Sequence, residues 1–205
     1  TDFFYGDNPK SIANKIITIN LSDLSAMGVS PFAYSLNLFL PKYINKNWIK
    51  IFTNELFKLQ KTYNFYLLGG DLSASNTLSI VATFFGYSKK NKIISQNSIN
   101  INNDIWITDN IGDSFVGLQI LNKKIKTYDN KLDNYFTNKY YYPKPCMIGE
   151  NISTYVKSMK DISDGFVGDL KKMLDNKYGA QINLKKLPIS RNLQKILNKD
   201  VLSKS

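Results

Sequence analysis

Along the first ninety or so residues the apolar positions change period several times, and each change predicts a new element. Ile12, Ile16, Ile19 and Met27 recur at near-helical spacing behind Asn8-Pro9, a suitable cap and first-turn pair, until Gly28 and Pro31 stop the run. A helix over about 10–27 follows. Tyr34, Leu36, Leu38 and Leu40 then alternate with polar Ser35 and Asn37, the period of a half-buried strand ending at Pro41. Trp48, Phe52, Leu56, Leu59 and Tyr63 step by three or four, giving an amphipathic helix. Phe65 to Leu68 is a short apolar run cut off by Gly69-Gly70-Asp71, and Leu78 to Tyr87 reads as a strand rich in Val, Thr and Phe. The expected order is helix, strand, helix, strand, strand.

Ser88 to Asn103 is polar and rich in Lys and Asn, and it sets the expected boundary between two halves, 1–95 and 96–205. Beyond it, Ile105 to Thr108 predicts a strand, and Phe115, Leu118, Leu121 and Ile125 predict a helix. Asp129 to Asn138 is mostly polar and reads as a loop. A Tyr140-Tyr141-Tyr142 run leads into Pro143-Lys144-Pro145. Asp161-Ile162-Ser163-Asp164-Gly165 precedes Phe166, Leu170, Met173 and Leu174, a helix that Gly179 ends, and Ala180 to Leu184 alternates as a strand.

Composition narrows the chemistry. The 205 residues are 43% hydrophobic and 21% charged, so a buried core is expected and global disorder is not. The net charge of +11 would ordinarily suggest nucleic acid or an anionic membrane. Its make-up argues against both: Arg191 is the sole arginine and the lysines are scattered in short pairs. No apolar run is long enough to span a bilayer. There is no histidine, which removes every His-based catalytic or zinc-binding scheme, and Cys146 alone leaves no disulfide framework. A reducing, cytoplasmic setting without a leader is the expectation.

Asp2, Asp23, Asp71 and the pair Asp161 and Asp164 each lie near a turn or element end. Singly they have plain readings. Ser163 and Asp164 suit a helix start, where a hydroxyl caps free N–H groups and an acid meets the positive end of the dipole. Gly69-Gly70-Asp71 suits a tight turn, and Asp23 a solvated helix face. Together they form a hard oxygen-ligand set of the kind that holds Mg²⁺ and nucleotide phosphates, with glycines that let backbone N–H groups approach. Phosphoryl transfer needs little beyond such positioning and charge neutralisation, and neither a Walker A motif nor a protein-kinase catalytic loop is present.

The string Thr1-Asp2; Asn20-Leu-Ser-Asp-Leu-Ser-Ala-Met-Gly28; Leu68-Gly-Gly-Asp71; Asn110-Ile-Gly-Asp-Ser114; Pro143-Lys-Pro145; Asp161-Ile-Ser-Asp-Gly165; and Leu187-Pro-Ile-Ser190 resembles the thiamine-monophosphate kinase family. That family lies within the aminoimidazole-ribonucleotide-synthetase-like ATP-binding superfamily. The resemblance implies an α/β fold of two halves, the first contributing strands to a homodimer and the second an α/β sandwich. It implies Mg²⁺-dependent transfer of the ATP γ-phosphate to thiamine phosphate, giving thiamine diphosphate. Carried over by motif, Thr1, Asp2, Asp23, Asp71, Asp161 and Asp164 would contact metal, and Gly70, Asp71 and Ser163 the nucleotide. The acceptor is already an anion, so no general base is required.

The chain also departs from the family pattern. Segments carrying a Gly-Asp-Asp motif before Thr1 and a Gly-Gly-Glu-Asp motif after Ser205 are missing, so a central fragment is expected. Phe3 to Pro9 lacks the family's His-containing substrate element, and Asn97 stands in place of an ATP-contacting arginine when Ser98 is aligned with the serine that follows it. Lys139 and Cys146 also stand where arginine is frequent. Two other readings follow: a diverged member that binds nucleotide without efficient catalysis, and a lysine-rich nucleic-acid-binding domain.

Overall fold

The computed structural model describes residues 3–88, 92–127 and 129–197, and the backbone of 202–204. Helix α1 (Pro9–Ala26) starts as its sequence requires: Asn8 accepts from the Lys10 N–H and Pro9 occupies the first turn. It buries Ile12, Ala13, Ile17, Leu21 and Leu24, and Gly28, at φ +73°, turns the chain into β1 (Ser30–Leu40). Helix α2 (Lys46–Tyr63) is capped by Asn45, which accepts from the Trp48 N–H, and ends at Asn64 in the left-handed region. Strands β2 (Tyr66–Gly69), β3 (Leu72–Ala74) and β4 (Ser79–Tyr87) complete a four-stranded sheet. Strand β1 pairs in parallel with β2 through Ala33 to Ser35 and with β3 through Leu38 to Leu40, and antiparallel with β4 along its other edge.

The alternation read from the sequence sets the sheet's inner face. Tyr34, Leu36 and Leu38 pack against Phe52, Leu56, Leu59 and Phe65 and against α1, forming the main core. The Tyr34 ring stacks on Phe84 at 5.1 Å and lies 5.3 Å from Phe65. On the outer face Phe39, Val81, Phe85 and Tyr87 are exposed, as are Leu67 and Leu72 along the β2–β3 edge.

The second half holds α3 (Asp113–Leu121), β5 (Ile125–Thr127), α4 (Asn130–Tyr141), α5 (Gly149–Ile152), α6 (Phe166–Leu174), a 3₁₀ turn (Leu184–Lys186), α7 (Arg191–Leu197) and β6 (Leu202–Lys204), which pairs antiparallel with β5. Its core is small, built from Phe136, Leu193 and Ile196 with Val116, Ile120 and Leu132 beside them. A buried carboxylate ties it: Asp113 accepts from the Tyr135 hydroxyl and the Ser190 hydroxyl, both at 2.7 Å.

Several expectations are corrected here. The 129–138 segment is helix α4, not a loop; Asp129 caps it and only Phe136 and Tyr140 are buried, a stripe too narrow to stand out among polar neighbours. Ile105 to Thr108 forms no strand, and Trp106 is 88% exposed, because no strand among the described residues pairs with it. Ala180 to Leu184 is unpaired and runs into the 3₁₀ turn. The helix expected through Ile125 ends at Leu121, since Lys123 takes φ +56° and Ile125 opens β5.

The two halves are stitched beside the end of α1. The Ser25 hydroxyl donates to the Cys146 carbonyl at 2.7 Å and accepts from the Gly149 N–H at 3.1 Å. The Lys92 ammonium reaches the Ser153 carbonyl at 2.8 Å and the Ser30 hydroxyl bonds Glu150, while within the first half the Ile94 N–H reaches the Met27 carbonyl at 2.9 Å.

Candidate phosphate and metal site

Asp23 sits on the last turns of α1 and Asp161 on the loop before α6, and the fold brings their carboxyls within hydrogen-bonding reach of each other. Partial desolvation, then the Asp161 charge and the shared hydrogen bond, push the Asp23 pKa up, while Lys160 pulls it the other way. Two acids held so close are a site for a shared proton or a cation. This is the one convergence of the candidate acids among the described residues, where no group of three acid, Cys or His side chains forms a metal cage.

The remaining candidates lie around it or apart from it. Asp164 is exposed and ion-paired with Lys172. Gly69, at φ +153°, and Gly70 carry the chain across the gap between β2 and β3, so the motif is a bulge on the edge of β1 and not the tight turn its glycines suggested. A Cβ on Gly70 would lie 1.7 Å from the Leu36 carbonyl oxygen, so only glycine fits there. The crossing is pinned by the Asp71 N–H donating to Asn37 Oδ1 and the Leu38 N–H donating to the Asp71 carbonyl, both at 2.9 Å. The Asp71 carboxylate is exposed and accepts from the Ser73 hydroxyl at 2.8 Å. Thr1 and Asp2 lie outside the described residues.

Ser163 does not cap α6. The N-cap position is Gly165, at φ +107°, with no side-chain cap. The loop's N–H groups turn instead to Asp169, whose Oδ2 accepts from Ser163 N at 2.9 Å and Asp164 N at 2.8 Å. Lys172 lies 3.2 Å and Lys160 3.9 Å from the other oxygen, and Lys160 also lies 3.6 Å from Asp161. Burial pushes the Asp169 pKa up, but the Asp164 N–H, Lys172 and the Ser163 N–H outweigh it and hold the carboxyl below the usual range. The sequence reading missed Asp169, Lys160 and Lys172. Its available signal was an acid in the first turn of a helix whose cap position is a glycine.

The Asp23–Asp161 pair, beside a loop whose Ser163 and Asp164 N–H groups are taken up by Asp169, lies where the two α/β halves meet. Family models for AIR synthase related protein, N-terminal domain, and AIR synthase related protein, C-terminal domain, match residues 1–88 and 103–203, between them most of the chain, which therefore belongs to that family. Within it, the chain is 35% identical over 195 residues to the thiamine-monophosphate kinase of Buchnera aphidicola subsp. Acyrthosiphon pisum, covering 94% of this chain and 60% of that protein. It is 36% identical over 202 residues to the thiamine-monophosphate kinase of Haemophilus influenzae, covering 97% and 60%. A solved structure described as AaThiL complexed with AMPPCP and TMP superposes with a TM-score of 0.87 at 22% identity, covering 96% of this chain and 63% of that one. The chain thus spans about three fifths of the length of the curated relatives it matches. No helix among the described residues is long and apolar enough to cross a membrane.

Proposed function

We propose that the chain belongs to a kinase that transfers the γ-phosphate of ATP to thiamine phosphate, giving thiamine diphosphate and ADP, with Mg²⁺. The observation that carries this reading is the Asp23–Asp161 pair, contributed by the two halves and held at the loop before α6 in a chain over a third identical to thiamine-monophosphate kinases. Burial, and then the neighbouring Asp161 carboxylate, raises the proton affinity of Asp23; a divalent cation would relieve the repulsion between the two acids, so the pair suits Mg²⁺. Asp23 and Asp161 would hold it, with Asp164, Asp71, Asp2 and Thr1 as further ligands from the motif. When bound, Mg²⁺ supplies charge neutralisation on the phosphate oxygens.

The chain's own residues do the rest by placement. Gly70, held against the Leu36 backbone, and Asp71 would present the Gly-Gly-Asp bulge to a nucleotide, and Ser163 is exposed at the loop before α6. A phosphate oxygen of thiamine phosphate forms the new P–O bond to the γ-phosphorus while the bond to the ADP oxygen breaks. The attacking oxygen carries no proton to remove, so a chain without histidine meets the requirement. The cytoplasm, where ATP is available and Cys146 stays reduced, is the compartment this reading implies. Residues 1–95 and 96–205 would be its two domains. The exposed Phe39, Val81, Phe85 and Tyr87 on the outer sheet face support a homodimer in which a second copy covers that face.

The test is calorimetric titration with Mg²⁺ and AMPPCP. Asp161→Asn combined with Asp164→Asn is expected to abolish Mg²⁺-dependent binding with an unchanged circular-dichroism spectrum, and unchanged binding rejects the site. Asn97 in the arginine's place favours a second reading, nucleotide binding without efficient transfer. Mg²⁺-dependent AMPPCP binding without ADP formation on adding ATP and thiamine phosphate would select it.

A further inference from the structure

We propose that Asp169 is a positioning residue that fixes the Asp161–Gly165 loop in the conformation able to take a metal-bound nucleotide. This rests on the function proposed above. Asp169 is only 2% exposed and lies one turn into α6. One carboxylate oxygen accepts two consecutive backbone N–H groups, those of Ser163 and Asp164. That geometry fixes the peptide planes on either side of Ser163, and so the direction in which Asp161 and Asp164 leave the loop.

The surroundings leave this loop few other restraints. Gly165 is conformationally permissive and supplies no side-chain cap, and nothing lies within 4 Å of where its Cβ would be. Asp164, Ser163 and Gly165 are all exposed. The other oxygen of Asp169 draws Lys172 and Lys160 to the same point, and these ammonium groups also sit against Asp164 and Asp161. Asp169 therefore anchors the loop's backbone directly, and its two candidate ligands through their lysines. A buried carboxylate bonded to charged and backbone donors is expensive to disrupt, so the loop is held by Asp169 from within the fold.

The experiment compares the unaltered chain with Asp169→Ala and Asp169→Asn by amide hydrogen exchange at Ser163 and Asp164, and by calorimetric titration with Mg²⁺ and AMPPCP. In Asp169→Ala the two amides are expected to exchange about ten- to a hundredfold faster. Mg²⁺-dependent AMPPCP affinity is expected to fall about ten- to a hundredfold, as for other residues that orient metal ligands. Asp169→Asn keeps an oxygen to accept both N–H groups and should restore most of the amide protection, with intermediate affinity. It also serves if the alanine variant fails to fold. Unchanged exchange, or faster exchange with unchanged affinity, overturns the role. Absence of Mg²⁺-dependent binding in the unaltered chain overturns the nucleotide reading and this role with it, whereas binding that Asp169→Ala leaves intact overturns the role alone.

Discussion

Gly149→Ala should be among the most disruptive one-carbon changes available in this chain, because the halves meet there backbone to backbone. An alanine Cβ would stand 1.7 Å from the Ser25 carbonyl oxygen and 2.9 Å from its hydroxyl. Ordinary contact begins near 3.4 Å, so α5 must move away from α1 by about 1.7 Å. The Gly149 N–H to Ser25 bond, already 3.1 Å, cannot survive that, and the 2.7 Å bond from Ser25 to the Cys146 carbonyl is pulled on by the same shift. Two hydrogen bonds at about 0.5–1.5 kcal/mol each, and about 1–3 kcal/mol for overpacking, put the loss near 3–4 kcal/mol. For a chain of this size that lowers the melting temperature by roughly 10 °C. Gly168→Ala is the matched control. It lies inside α6 with nothing within 4 Å of the new Cβ, so the same substitution should stabilise by about 0.5–1 kcal/mol. Urea denaturation followed by tryptophan fluorescence reads both. A loss below about 1 kcal/mol for Gly149→Ala, or a loss of similar size for Gly168→Ala, would refute the steric argument.

Two further outcomes follow from caps and phenols. Asn45→Ala removes the acceptor for the Trp48 N–H at the start of α2 and should cost about 0.5–2 kcal/mol in the same assay; a neutral result would mean water caps that end equally well. Burial pushes the Tyr34 phenol up to about 12, and burial together with Asp7 pushes Tyr141 up to about 12. Both favour the neutral phenol in the folded state, so their stabilisation is complete below the ordinary tyrosine value near 10 and is lost as pH rises from there through about 12. Stability measured by urea midpoint should therefore fall across that window, less steeply in Tyr34→Phe, and a flat profile would contradict the assignment.

Much of the first half was legible because its elements carry strong periods. The Tyr34 to Leu40 alternation predicts the inner face of β1, and the Trp48 to Tyr63 spacing predicts the buried side of α2. The second half was harder to read because burial there falls on few residues. Helix α4 hides only Phe136 and Tyr140, and α7 only Leu193 and Ile196. Strand assignment failed at Ile105 to Thr108 for a different reason: propensity describes a willing strand, but pairing needs a partner. At the candidate site, Asp23 and Asp161 are legible as residue types near element ends, yet their meeting depends on tertiary contacts between halves. Asp169 is marked in the sequence only as an acid in the first turn of α6, since its bonds to two N–H groups exist only once the loop is folded.

Strand β1 is a partner in every ladder of the four-stranded sheet: β2, β3 and β4 each hydrogen-bond to it. The sheet is thus wired as a hub, and no peripheral pair can persist once the hub is gone. Its unfolding should be correspondingly abrupt, with β2, β3 or β4 able to fray singly while β1 stays in place. The slowest-exchanging amides of this half are expected around Tyr34 and Leu38, where both edges are paired and the inward side chains sit in the core.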